Sequence, residues 1–271
     1  MLRPRGPSGS AGRCQHPIRI EGRGRSTTRE QRMTELTEAS GASGELMLML
    51  LADARLPTGA HTQSAGLEPA LRAGVPASSA PDYIRARLRT VTAVEAAAAV
   101  LARRRSIDAA RGFAEAELAG GLTEVDAAWR ARTVSPALRE TSVLLGRGYA
   151  RLVRRLWPGT PGANALASIG RPGRAIVLGV AAALAGLSAA QLVRLIGYDD
   201  AQTVAAATLK LEPLDPVVAT SWVMAAGAEI ERMVGDLARL TDIDDMPAFG
   251  APLIEQWAEI HSVTSQRLFR A

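Results

Sequence analysis

The chain has 271 residues, with 32 Lys+Arg against 27 Asp+Glu, a formal charge of +5 and 47% apolar residues. Aromatic residues make up 4%, too few for the stacking platforms that read single-stranded nucleic acid, and one cysteine, Cys14, excludes a disulfide framework and a cysteine-based zinc site. The basic excess is local: residues 1–32 hold eight Arg and two acids, hence +6, and the other 239 residues sum to −1.

Residues 1–43 read as a disordered, Arg-rich extension. The segment is rich in Pro, Gly and Ser, and it lacks the continuous apolar run of a secretory signal. Met33 offers an alternative start. The glycine-broken arginines form no amphipathic helix, so the second reading is a basic-tailed helical protein held to nucleic acid or an anionic surface by salt-dependent contacts.

Residues 44–271 are expected to form one all-α domain of about ten helices, since no run alternates β-branched and polar residues. A short helix over 45–55 ends at Pro57 and Gly59. A second spans 64–73, with Gly74 past its end. A long helix is expected over 81–105, then shorter ones over 107–118 and 124–132, separated by Gly120-Gly121. Ser135-Pro136 is a start signal, with Ser at the cap and Pro at the first helical position. Behind it Leu138, Leu145, Tyr149, Leu152 and Leu156 share one face. Residues 158–174 read as a Pro/Gly-rich connection. Ala175–Ile196 is the most apolar stretch, but Gly186-Leu187-Ser188 divides it into two helices too short to span a bilayer. A further helix is expected over 216–240 and a last one over 252–261.

Catalytic apparatus is not evident. The one lysine, Lys210, has no glycine-rich phosphate loop beside it. His16, His61 and His261 are not paired at metal-ligand spacing. No Gly-x-Ser-x-Gly elbow is present. Asp199-Asp200 and Asp242-Asp244-Asp245 are acidic clusters, read as charge at a helix N-terminus or a solvated loop. No catalytic residue and no metal ligand is assigned. The balance leans toward a helical adaptor, cytoplasmic by default, with a helical enzyme using an Asp cluster as the third reading.

Residues 50–74, LLADARLPTGAHTQSAGLEPALRAG, carry a Leu-Pro-x-Gly turn and a Ser-x-Gly-Leu-Glu helix start at Leu56, Pro57, Gly59, Ser64, Gly66, Leu67 and Glu68. Downstream come Arg139-Glu140-Thr141 with Leu145-Gly146-Arg147, then Leu209-Lys210-Leu211 with Pro213-Leu214, then His261 and Arg267-Leu268-Phe269. In this order, over about residues 46–271, the motifs resemble those of the urease accessory protein UreF family. The resemblance implies an all-α, non-enzymatic chaperone that forms a homodimer. It implies binding to UreD (also called UreH), recruitment of the GTPase UreG, and help in delivering nickel to apo-urease along a water-filled route. Nickel is then cargo in transit, and no cofactor is bound tightly. It further implies that His61, Lys210 and Arg267, with Leu268 and Phe269, face the GTPase. The sequence departs from the family at Gln63, Ser262 and Ala271, where His, Glu and Ser are usual.

Overall fold

A computed structural model describes residues 44–109, 115–265 and 267–269. The Arg-rich extension, and the nucleic-acid reading attached to it, lie outside the described residues. Among those described there are helices and turns but no strand, as the residue pattern predicts.

The helices in chain order are α1 (44–52), α2 (Leu67–Arg72), α3 (Ala80–Arg89), α4 (Val91–Ala109), α5 (Glu115–Arg132) and α6 (Pro136–Leu156). After them come α7 (Pro161–Ser168), α8 (Arg174–Leu184), α9 (Ala189–Leu211), α10 (Pro216–Ala225), α11 (Gly227–Leu237) and α12 (Pro252–Val263). The centre is α4, packed against α3, α5, α8, α9 and α11. Its Ala96–Ala99 run and Ala102 are fully buried. Small side chains let α8 come close: a methyl added at Gly179 would collide with the Ala99 carbonyl. Residues 96–102 of α4 are buried on every side, which explains why that stretch is apolar all round rather than striped.

Several boundaries differ from expectation, each for a local reason. The helix expected over 81–105 breaks at Thr90, which leaves helical geometry (φ −125°, ψ −100°). The break lets α3 pack on α9 and α11 while α4 packs on α8 and α5. Gly120-Gly121 does not interrupt α5; Gly121 lies against the Arg105 side chain, and packing outweighs a propensity cost of about 1 kcal/mol per glycine. The connection over 158–174 contains α7, whose Thr160 caps the Ala163 amide ahead of Pro161, the same signal that correctly marks α6 at Ser135-Pro136. The helix expected over 216–240 is two, interrupted at Ala226. Along α6 the buried stripe runs through Val143, Leu145, Tyr149 and Val153, and Leu156 is exposed. The apolar stretch over 175–196 does divide at Gly186 (φ 71°), and no helix among the described residues is long and apolar enough to cross a membrane.

Candidate functional site

The chain from Pro57 to Gly66 is a compact connector rather than a helix start. Gly59 (φ 91°) and Gly66 (φ 78°) adopt left-handed backbone, which side chains disfavour. A methyl at Gly66 would also sit 2.8 Å from the Tyr83 hydroxyl. Tyr83 Oη and an Arg87 guanidinium nitrogen both donate to the Ala65 carbonyl, at 2.7 and 2.9 Å. These constraints begin α2 at Leu67, three residues later than expected, and place Glu68 in its first turn.

Glu68 is 1% exposed and lies at the meeting point of segments remote in sequence. Its Oε1 accepts from the Leu268 amide at 2.8 Å and its Oε2 from the Phe269 amide at 2.9 Å. Arg72 donates to Oε1 at 2.8 Å. His261, also 1% exposed, places Nε2 3.2 Å from the Phe269 carbonyl and 3.8 Å from Glu68 Oε2. A carbonyl only accepts, so Nε2 carries the proton in that bond. Burial lowers the His261 pKa, with Glu68 opposing.

The five residues expected to face a partner are drawn to this corner. Lys210, in the last turn of α9, donates to the His61 carbonyl at 3.2 Å and lies 5.2 Å from the centroid of the Phe269 ring. Arg267 is exposed and donates to the His261 carbonyl at 3.0 Å; Leu268 is 63% exposed. Phe269 differs from the expectation of a free docking tail, being buried at 4% exposure. It seats the segment and leaves Arg267 and Leu268 outside. Of the motif residues, Leu67 and Ser64 are buried, and Pro57 accepts from Arg151 of α6 through its carbonyl.

A second buried polar site was not legible as such. Asp199 and Asp200 lie inside α9, neither at its N-terminus nor in a loop, contrary to expectation for that pair. Arg87 of α3 grips Asp200 through two nitrogens, at 2.6 and 2.9 Å. Arg174 grips Glu95 of α4 at 2.8 and 2.9 Å and Asp199 at 2.5 Å. Burial opposes ionisation of Asp200, but Arg87 outweighs it and holds the pKa below the usual carboxylate range. At Asp199 burial wins over Arg174 and the pKa is raised. Burial pushes Tyr83 up to about 12. A cavity of about 100 Å³ adjoins the cluster, lined in part by Gln63, Gly66, Arg87, Glu95, Arg174 and Asp200. Gln63 Oε1 is buried there with no hydrogen-bond partner among the described residues. The signal for this site was positional: Arg87 follows Tyr83 and Ile84 on the buried stripe of α3, and Asp200 follows Ile196 on that of α9. Asp242, Asp244 and Asp245 do form an exposed loop. Among the described residues no cluster of three or more His, Cys, Asp or Glu could hold a metal ion.

A model of the UreF family matches residues 75–227. That span contains Lys210 but neither the 57–68 connector nor the C-terminal segment. The chain is similar to the urease accessory protein UreF of Mycolicibacterium vanbaalenii, 33% identical over 225 residues that cover 82% of this chain and 96% of the relative. It is also similar to the UreF of Mycobacterium marinum, 34% identical over 230 residues, covering 82% and 97%. The UreF of Mycobacterium tuberculosis H37Rv is 33% identical over 226 residues, again covering 82% and 97%.

Proposed function

The chain belongs to the UreF family of urease accessory proteins, and from that premise we propose that it is a cytoplasmic maturation chaperone without turnover of its own. With UreD/UreH it recruits the GTPase UreG and helps deliver nickel to apo-urease. The observation that carries this reading is the corner where His61, Lys210, Arg267 and Leu268, remote in sequence, share one surface anchored by Phe269. Arginine is among the residues that most often carry the dominant contacts of an interface, which suits the exposed Arg267. Tyr198, Val217 and Met224, exposed on α9 and α10, supply apolar surface suited to the homodimer. Nickel is cargo in transit in this reading, not a resident cofactor.

The test is co-expression with UreD and UreG followed by size exclusion. Wild type should co-elute with both. Arg267→Ala and Lys210→Ala should keep the helical circular-dichroism signal and lose UreG, with an expected cost of about 2 kcal/mol for a dominant contact. Co-elution of UreG undiminished in both variants would refute the assignment of this corner.

A further inference from the structure

The three described residues of the C-terminal segment, 267–269, belong to no helix. Among the described residues, no acceptor near them in sequence takes the Leu268 and Phe269 amides. Both amides go to one carboxylate, that of Glu68, 200 and 201 residues away. Two successive amides converging on one anion make a charge-assisted pair of bonds, stronger than neutral ones. Glu68 is itself held from the other side by Arg72 and stands beside His261. The backbone bonds fix the chain just where Phe269 enters its buried seat under Lys210 and where Arg267 and Leu268 turn outward. Remove the carboxylate, and two amides lose their acceptors, the Phe269 amide inside the protein, a state that the segment escapes by leaving its seat.

We propose that Glu68 is the positioning residue of the partner-facing corner: its double bond to the Leu268 and Phe269 amides decides whether the C-terminal segment is seated and the corner is formed. This rests on the reading that the corner faces the GTPase. Glu68 touches no partner; it acts through Arg267, Leu268 and the Lys210–Phe269 contact. The segment is thereby a strap latched at Glu68, with the buried Phe269 ring and the Arg267–His261 bond holding it alongside.

The experiment uses the full chain in complex with UreD, as wild type, Glu68→Gln, Glu68→Ala and Arg267→Ala. Three quantities are read for each: helical signal, hydrogen exchange of the Leu268 and Phe269 amides, and affinity for UreG. Gln keeps the length and one acceptor oxygen, so it should be intermediate. The expected order of amide protection is wild type, Gln, Ala, with exchange faster by about tenfold or more in Ala. UreG affinity should fall in the same order, while UreD stays bound. If Glu68→Ala loses the helical signal, Glu68→Gln alone carries the comparison. Unchanged protection in the Glu68 variants overturns the proposal, and so does lost protection with UreG affinity intact in Glu68→Gln. Failure of the underlying reading is distinguishable: Arg267→Ala would then bind UreG normally with its tail amides still protected, and the proposal would fall with it.

Discussion

Asp200 and Glu68 are both carboxylates taken out of water, but their partners differ in kind. Asp200, with Asp199 and Glu95, meets guanidinium groups that come from other helices: Arg87 from α3 and Arg174 from α8. Those helices already share an apolar interface with α4 and α9. The ion pairs therefore add register to elements that hydrophobic burial brings together. Glu68 meets the backbone of a segment with no regular structure and one buried anchor. There the carboxylate supplies the order itself. Breaking the first site should damage the whole fold, and breaking the second should damage one surface.

The largest expected effect tests the first half of that contrast. Arg174→Met leaves Glu95 and Asp199 buried without their cation, and removing one partner of a buried pair costs about 3–5 kcal/mol. Urea denaturation should show the loss in the global midpoint. A shift worth under about 1 kcal/mol would mean that the cluster rehydrates instead.

Next comes the asymmetry between neighbouring aspartates. Asp200 is held below the usual range by Arg87, so the folded state prefers its charge. Asp200→Asn should cost about 2 kcal/mol or more, because Arg87 loses its countercharge. Asp199 is raised because burial outweighs Arg174, so folding favours its charge less than the unfolded chain does. Asp199→Asn should lie within about 1 kcal/mol of wild type at neutral pH, on either side of it. Equal losses from the two variants would erase the distinction.

A smaller effect is expected at the tail. Phe→Ala in a core costs about 3–5 kcal/mol, but a segment that opens alone limits the loss to its own local stability. Phe269→Ala should therefore cost under about 3 kcal/mol globally while abolishing protection of the tail amides. A full core-sized loss in the denaturation midpoint would place Phe269 in the cooperative unit.

The smallest effect is a pH dependence. The folded His261 pKa is lowered by burial, Arg267 and Arg72, against the pull of Glu68 and the Phe269 carbonyl. As pH falls through the unfolded value near 6.5, the unfolded state takes up its proton first. Stability is then lost until pH reaches the depressed folded value, and no further below it. Tail-amide protection measured from pH 7.5 to 5.5 should decline in wild type and stay flatter in His261→Gln. Parallel slopes would remove His261 from the corner's energetics.

Helix type and most helix positions were readable because they depend on neighbours in sequence. Ser135-Pro136 starts α6 through a cap bond to Leu138, three residues on, and Thr160-Pro161 starts α7 by the same means though the connection around it reads as loop. Motif residues on both sides of the corner could be named, but not their arrangement. Phe269 reads as a tail residue because nothing near it in the chain shows that its amide ends on Glu68.

The amino-acid pattern by itself determined an all-α chain, the division at Gly186, the caps, and the segments that matter. These follow from bonds and spacings within a few residues. Tertiary structure alone decided that Asp199 and Asp200 are paired inside a helix bundle, that Thr90 rather than a glycine breaks a helix, and that Glu68 holds a segment 200 residues away. The physical reason is common to all three. A carboxylate removed from water must find a cation or amide partner, and a helix bends where burial of two faces demands it. Which partner or face is within reach is set by the packing of helices distant in sequence.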